Sequence, residues 1–334
     1  MLAAVLIDVH QIIYRGLIMA VYVNTNVSSL NGRRYLNNVQ NQLTTTYQRL
    51  SSGMRINSAK DDAAGLQIAD RLTTQINGLN QGNRNTNDAI AVAQTIEGAL
   101  DETTNMLQKI RTLAVQSANG TNTAEDRAAL QQEVNSLSSE VNRIAKQTKF
   151  GGQTVLNGKL DANNNKNSLI DGNGKITFQV GANNGDEIVF TLGAEAFTLT
   201  GLADMANIAA KDAADAVGQD GTGLVKSGNN NAESKWLVST ASGAKKTLAN
   251  IDKMIAKVDE KRSDLGALQN RLESSIRNQS NVAANQADAR SRIRDADFAE
   301  ESAALSQQSI IQQAATSMLM QANSRPQLAL SMLG

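Results

Sequence analysis

Few side chains in this sequence could carry out chemistry, and those that could are poorly matched to a reaction. The only histidine is His10 and there is no cysteine, so thiol nucleophiles, disulfides and thiolate metal sites are excluded. A Ser-His-Asp triad would have no base in the body of the chain, and zinc hydrolase motifs would have no ligands. The sequence therefore predicts a protein that is not an enzyme and needs no cofactor.

Two acidic segments look like possible sites but fit a simpler interpretation better. Asp171 begins the segment DGNGKITF, in which Ile176 stands at the sixth position, where a calcium-binding EF-hand loop requires glycine. An ordinary loop is therefore predicted there. Asp295 and Asp297 could form an acid pair, yet with arginines beside them they are better interpreted as solvated carboxylates at the start of a helix.

The composition favours long aliphatic bundles over a globular fold. The chain has 334 residues, of which 41% are hydrophobic but only 3% aromatic, and it contains one proline. The 32 basic and 32 acidic residues cancel, which removes the electrostatic footprint of a nucleic-acid binder. No apolar run approaches the roughly 20 residues that a membrane span requires, so no membrane partner is expected.

The polar break around Ser58 separates two stretches whose apolar residues recur at helical spacing. Downstream of the break, the 3,4 spacing of a coiled coil continues over many turns. The Ser58 hydroxyl is predicted to cap this second helix, with Asp61 and Asp62 near the positive end of its dipole. Upstream, a narrow apolar stripe consists of Leu36, Leu43, Tyr47, Leu50 and Met54.

The upstream stripe is too small to fold alone. Full burial of its side chains would contribute roughly 8 to 15 kcal/mol, whereas ordering about thirty residues costs about 1 to 2 kcal/mol each. Packing with another helix, inside or between chains, must supply the difference. We hypothesise that both termini are largely disordered in the free monomer and become helical on association. Equal helicity of monomer and polymer by circular dichroism would contradict this hypothesis.

The rest of the chain predicts further helices and one hairpin. Thr123 and Asp126 form a capping box that begins a third helix. Residues 176–192 alternate apolar and polar side chains around Asn184 and Gly185, which predicts a β-hairpin with a type I′ turn. The apolar heptad then returns in the C-terminal third. The apolar positions predicted to form the helical core are Leu66, Leu72, Ile76, Leu107, Ile110, Leu137, Val141, Ile251, Val258 and Leu272.

These elements predict a mainly α fold: a long antiparallel helical bundle or coiled coil built from both chain ends, with a small β-hairpin element in the middle. The first eighteen residues are apolar but contain Asp8 and lack a basic start, so they fit a secretory signal poorly. We expect Met19 to be the true start, with residues 1–18 as a doubtful leader.

Four segments of the sequence closely resemble bacterial flagellin, and the resemblance covers roughly residues 20 to 156 and 236 to 334. The segments are VNTNVSSL from Val23, QRLSSGMRINSAKDDAAGLQIADRL from Gln48, LQKIRTLAVQSANGTNT from Leu107 and IRDADFAEESAALSQQSIIQQAATSMLMQAN from Ile293. The departures are small: Phe298 stands where the family usually has tyrosine, and Phe150 begins FGG where Phe, Asn, Gly is common.

The resemblance implies a structural subunit that polymerises into the flagellar filament for swimming motility. Such a subunit is exported unfolded by the flagellar type III apparatus and is therefore secreted and extracellular. Its expected partners are other copies of itself, an export chaperone, and the cap and hook-junction proteins. The assembly seam between the paired terminal helices would comprise Leu36, Leu43, Tyr47, Leu50, Met54, Ile310, Ala314 and Met318.

The resemblance also implies a domain order that runs from an inner tube to the outer surface and back. The expected segments are the leader 1–18, an inner-tube helix 19–57, rod helices with the β-hairpin 58–193, a short surface projection 194–235, a rod helix 236–290 and an inner-tube helix 291–334.

Flagellins are recognised by a Toll-like innate immune receptor, and the resemblance places the matching positions at Lys109, Leu113 and Glu133. Lysine at the first of these keeps the charge of the family's arginine but loses its planar fork. Leu113 could equally be an ordinary rod or subunit-contact residue.

Three other interpretations compete with a filament subunit. The hook-filament junction protein shares flagellin-like ends and is the main alternative. An enzyme inserted in a flagellin scaffold, such as a metalloprotease, is conceivable, although the middle of this chain contains no histidine. A generic coiled-coil scaffold is the third, and growth of filaments on short seeds would distinguish it.

Overall fold

The computed structural model describes residues 25–159, 167–208, 222–225 and 234–331, with side chains described as far as Pro326. The predicted leader lies outside the described residues, as do residues 209–221 and 226–233 of the predicted projection. Long helices dominate the rest, and the strands are short antiparallel pairs in the middle of the chain. The predicted mainly α fold with a small central β element is confirmed.

Six helices lie within the described residues: α1 Val27–Ser52, α2 Ala63–Ala118, α3 Ala124–Gln147, α4 Leu199–Met205, α5 Ala241–Arg294 and α6 Phe298–Ser331. Three antiparallel strand pairs accompany them: β1 Lys149–Phe150 with β2 Gln153–Thr154, β3 Lys175–Gln179 with β4 Glu187–Thr191, and β5 Leu224–Val225 with β6 Lys235–Trp236.

The chain divides into two compact units. The terminal unit combines Met1–Thr73 with Ala287–Gly334, and the central unit is Thr74–Gln286. The domain boundaries near residues 57 and 290 that the sequence suggests stay a prediction.

A single hydrophobic cluster forms the core of the central unit. It is aliphatic apart from a few aromatic side chains, among which Trp236 and Phe197 are almost completely buried. The predicted capping box at the start of α3 is confirmed, because Asp126 N–H donates to Thr123 Oγ1 while Thr123 N–H donates to the Asp126 carboxylate.

The predicted hairpin is confirmed in register but not in turn type. Ile176 pairs with Phe190 and Phe178 with Ile188, as the alternation requires. The strands, however, end at Gln179 and Glu187, and the intervening loop is held by Asp186. A type I′ turn needs positive φ at both central residues, and of the Asn-Gly pair only Gly185 has it, at 92°. The type I′ prediction is therefore wrong.

The helix after the polar break begins at Ala63, five residues after Ser58, so the predicted cap is also wrong. Asp62 performs that role: its Oδ1 accepts from Gly65 N–H at 2.9 Å, and its carbonyl accepts from Leu66 N–H. Asp61 instead accepts hydrogen bonds from the backbone N–H groups of Asn57 and Ser58.

Candidate assembly surface

Within the terminal unit, α1 and α6 pack along each other as a two-helix pair. At one end of the pair, Asn26 caps α1 by accepting from Ser29 N–H, and its Nδ2 donates to the Ala322 carbonyl at 2.7 Å. Gly32 lies against Leu319, whose Cδ1 would be 3.0 Å from a β-carbon at this position. Small and capping residues thus let the two helix backbones approach closely.

Polar side chains join the other end of the pair. Thr46 is buried, and its Oγ1 donates to Gln308 Oε1 at 3.2 Å. Arg49 Nη1 donates to Glu301 Oε1 at 3.1 Å, with the Glu301 side chain only 12% exposed. An ion pair on a partly desolvated carboxylate is harder to break than a surface pair, because losing the arginine leaves that carboxylate without its partner.

The segment that follows α1 is hydrogen-bonded to the segment that precedes α6. Gly53 ends α1 with a φ of 69°, and its carbonyl accepts from Ala296 N–H at 3.0 Å. Met54 forms a single antiparallel β-bridge with Asp295, and the Arg294 carbonyl accepts from Arg55 N–H at 2.7 Å. Asp297 lies at the start of α6, as predicted, because its Oδ1 accepts from the N–H groups of Ala299 and Glu300.

Asp61 has the clearest electrostatic signature of the terminal unit. Hydrogen bonds from the backbone N–H groups of Ser58 and Asn57, in that order of importance, hold the pKa of its carboxyl below the usual range. The group is fully exposed, so the shift comes from local hydrogen bonding.

The predicted seam residues fall on different sides of the helix pair. Leu43 is buried, while Leu36, Leu50 and Met54 are half-buried. Tyr47 is exposed and Ala314 is exposed, and the side chains of Ile310 and Met318 are 67% and 71% exposed. Val39 and Thr46, which periodicity alone did not single out, complete the buried side of α1.

Uncovered apolar side chains are concentrated in the terminal unit. Of the thirteen large hydrophobic side chains that are exposed among the described residues, only Val115, Val189 and Val282 belong to the central unit. The ten in the terminal unit are Val27, Leu30, Tyr35, Tyr47, Ile68, Phe298, Ile310, Ile311, Met318 and Met320. Clustered exposed apolar side chains are typical of interaction surfaces.

Part of this apolar surface forms a groove along the helix pair. The groove has a volume of about 290 Å³. Its lining is almost entirely hydrocarbon and comprises Gly32, Tyr35, Val39, Ile311, Ala314, Ala315 and Met318.

The predicted helical-core residues are divided between the units. In the central unit Ile76, Leu107, Ile110, Val141, Ile251, Val258 and Leu272 are buried, and Leu137 is half-buried against the core. In the terminal unit Leu66 and Leu72 are half-buried.

The three positions that match the receptor surface of flagellins differ in exposure. Lys109 and Glu133 are exposed and form an ion pair at 3.7 Å between Nζ and Oε1. Leu113 is only 4% exposed and belongs to the core of the central unit. Little of the leucine side chain is therefore presented at the surface of this structure.

The described residues lack the features of a metal centre or a membrane span. They contain no group of three or more His, Cys, Asp or Glu side chains placed to hold a metal ion. None of the helices in this part of the chain is both long enough and apolar enough to cross a bilayer. Asp171, at the predicted loop, accepts hydrogen bonds from Asn173 and Lys175 N–H groups, as a turn residue does.

Comparison with known proteins gives matches at both ends of the chain. The model of the bacterial flagellin N-terminal helical region matches residues 23–161, and that of the C-terminal helical region matches residues 248–333. Flagellin D of Vibrio anguillarum is 37% identical over 95% of this chain and 100% of its own length. Flagellin B of Vibrio cholerae serotype O1 is 36% identical over the same shares.

A solved structure is also similar. The crystal structure of Bacillus cereus flagellin is 25% identical and covers 61% of this chain and 94% of its own, with a TM-score of 0.42. The two family matches and the relatives that cover nearly the whole chain show that it belongs to the bacterial flagellin family, as a structural subunit of the extracellular flagellar filament.

Proposed function

We propose that the terminal unit makes the contacts between copies that build the filament, through the exposed apolar side chains of α1 and α6. The observation that carries this proposal is their distribution: ten of the thirteen exposed large hydrophobic side chains among the described residues lie in that unit. A two-helix pair buries only one side of each helix, so its outer sides need further partners.

The contacts are heterologous, so that each copy presents two different surfaces to its neighbours. Repetition of a contact that does not close generates an open helical polymer. The groove along α1 and α6 supports this arrangement, because it offers an apolar cleft while Ile310, Met320 and Phe298 are uncovered elsewhere on the pair. Residues 19–57 and 291–334 then form the inner tube, residues 58–193 and 236–290 the rod, and residues 194–235 a short projection.

Membership of the flagellin family supports further binding partners and a structural role without catalysis. We infer that the chain is exported through the flagellar type III apparatus with an export chaperone, and that it then contacts the cap and hook-junction proteins. The proposed partners also include a Toll-like receptor, which would contact the exposed Lys109 and Glu133, whereas the burial of Leu113 weighs against a direct contact by that residue. The chain acts structurally and not as an enzyme.

Seeded elongation tests the proposed surface. Ile310→Ser and Met318→Ser each replace an exposed apolar side chain of α6 with a small polar one. Losing the burial of such a side chain between copies costs about 1.5 to 3 kcal/mol, which corresponds to roughly ten- to hundredfold weaker addition of a subunit.

The matched control is Val189→Ser, which changes an exposed apolar side chain on β4 in the central unit. Circular dichroism checks that all three variants keep the helicity of the unaltered protein. Elongation of the two α6 variants at the rate of the control would contradict the proposal.

A further inference from the structure

Six asparagines in the sequence precede glycine, and this dipeptide is the one most prone to spontaneous deamidation. They are Asn31, Asn77, Asn119, Asn157, Asn173 and Asn184. In the reaction, the backbone nitrogen of the following residue attacks the asparagine side-chain carbon. Glycine favours the step because it has no side chain to obstruct the attack. The attacking nitrogen must be free to rotate, so a hydrogen bond from its N–H slows the reaction.

The helices and one turn protect three of the six. Asn31 and Asn77 lie inside α1 and α2, where the N–H of the next residue belongs to the helical hydrogen-bond ladder. Asn173 lies in a turn in which Gly174 N–H donates to the Asp171 carbonyl at 3.0 Å.

Packing and backbone bonding restrain two others. Asn157 is half-buried, and Gly158 is buried against the backbone of Ala194 and Ala196. Asn119 is exposed, but its N–H donates to the Gln116 carbonyl and its own carbonyl accepts from Arg127 Nη2 at 2.9 Å. Hydrogen bonds therefore restrain the backbone of Asn119 both before and after its Cα atom.

Asn184 differs from Asn31, Asn77 and Asn173 because the N–H of the next residue makes no hydrogen bond with the described residues, a feature that Gly120 after Asn119 shares. It differs from Asn119 because, within the described residues, no hydrogen bond holds its own N–H or carbonyl. It is exposed at the tip of the β3–β4 loop, and neither its side chain nor the N–H of Gly185 makes a hydrogen bond within the described structure. A β-carbon placed on Gly185 would meet nothing within 4 Å, so the attacking residue is unhindered. Hydrogen bonds from Asp186 N–H to the Asn183 carbonyl and from Glu187 N–H to the Gly185 carbonyl close the loop around this pair, but they involve neither the Asn184 side chain nor the Gly185 N–H.

We propose that Asn184 is a site of spontaneous covalent ageing of the filament subunit. Gly185 nitrogen forms a bond to Asn184 Cγ, the amide nitrogen leaves as ammonia, and a cyclic succinimide results. Water then opens the ring to aspartate or isoaspartate, so the net change is uptake of one water and loss of one ammonia. No oxidant, enzyme or cofactor takes part. Because the subunit is extracellular, conversion accumulates with the age of the filament.

The conversion alters a loop that is seated on a helix. Isoaspartate lengthens the main chain by one methylene between Asn183 and Asp186, which are joined by hydrogen bonds from Asn183 N–H and Nδ2 to Asp186 Oδ2. The same loop rests on α2, where a β-carbon at Gly78 would lie 2.6 Å from Ala182 Cβ. The new carboxylate also stands within three residues of Asp186 and Glu187 in the sequence, so like charges accumulate in this short loop and repel.

Peptide mapping of the aged full-length protein tests the proposal. The folded chain is incubated at mildly alkaline pH, digested, and each of the six Asn-Gly peptides is measured by mass spectrometry for aspartate and isoaspartate. We expect Asn184 to convert several-fold faster than any of the others. The same incubation in denaturant is the control for sequence context, and there the rates at the six sites should converge.

Two variants complete the test. Gly185→Ala keeps Asn184 but hinders the attacking nitrogen; because φ is 92° at this position, circular dichroism has to show that the variant keeps the fold. Conversion at residue 184 should then fall several-fold, whereas Ser136→Ala, on the exposed side of α3, should leave it unchanged. Conversion in the folded protein that is as fast at Asn119 or Asn173 as at Asn184 would overturn the proposal. The same relative conversion rates at the six sites in folded and in denatured protein would also overturn it.

Discussion

The terminal and central units both consist largely of long helices, but they differ in how many of their apolar side chains are buried. In the central unit, hydrophobic side chains from α2, α3, α5 and the strands form one cluster, in which Trp236 is completely buried. Among the described residues of the terminal unit, only Val39, Leu43, Ile56 and Ala69 are buried hydrophobic residues, while ten large apolar side chains remain uncovered.

The difference indicates that one unit is complete within a single chain and the other is not. One neighbouring helix can bury a single apolar stripe. The apolar residues of α6 are not confined to the side that contacts α1, because Ile310, Ile311 and Met318 remain exposed. Stability of the central unit should therefore be independent of assembly, and stability of the terminal unit should depend on it.

The largest effect that would test this contrast is loss of a core side chain. Leu107→Ala removes a completely buried side chain from the central cluster and should lower the free energy of unfolding by about 2 to 5 kcal/mol. Ile310→Ala, on the exposed side of α6, should change it by no more than about 0.5 kcal/mol. Chemical denaturation of the monomer, followed by helicity, measures both. Equal losses would show that the two environments are not distinct.

An intermediate effect is expected at the polar end of the α1–α6 pair. Arg49→Met leaves the mostly buried Glu301 carboxylate without its cation, which should destabilise the terminal unit by about 1 to 3 kcal/mol. Arg292→Met breaks a well-exposed pair with Asp288 in the same unit and should cost no more than about 0.5 kcal/mol. Hydrogen exchange of α6 amides in each variant measures the difference. Similar exchange rates in the two variants would contradict a special role for Arg49.

The smallest effect concerns acid sensitivity at the start of α3. Hydrogen bonds from the backbone and side chain of Thr123 hold the pKa of Asp126 below its ordinary value. A lowered folded-state pKa gives stability that is complete above the unfolded-state pKa and is lost as pH falls through the folded one. Asp126→Asn should remove this pH dependence from the exchange of α3 amides, and Glu125→Gln in the same turn should preserve it. An unchanged acid response in Asp126→Asn would rule the carboxylate out.

Local patterns with short-range partners could be predicted from the sequence. The capping box needs only Thr123 and Asp126, three residues apart, and the register of Ile176 with Phe190 follows from strict alternation. The seven-residue spacing of Leu36, Leu43 and Leu50 likewise marks the side of α1 that tends to be buried. In each case the determining pattern lies within fifteen consecutive residues.

The rest depended on geometry that spacing does not encode. Ser58 and Asp62 are both plausible caps, and the choice rests on where the chain turns after Ile56, which is almost completely buried. The Asn-Gly pair favours a type I′ turn, but hydrogen bonds to Asp186 widen the loop. Periodicity also put Tyr47 on one stripe with Leu43, whereas in the single chain Leu43 is buried and Tyr47 is exposed, because a single neighbouring helix covers only one side of α1. The place of Tyr47 in the assembly seam stays a prediction.

The most direct test of the central claim is methionine oxidation in monomer and in filament. Peroxide converts a thioether to a sulfoxide at a rate that follows its exposure. The side chains of Met318 and Met320 are 71% and 68% exposed in the single chain, whereas Met254 in the central core is completely buried.

We predict that Met318 and Met320 are oxidised rapidly in the monomer and become strongly protected in the filament, with Met254 protected in both. Equal oxidation of Met318 and Met320 in the two states would contradict the claim that other copies cover the apolar surface of the terminal unit.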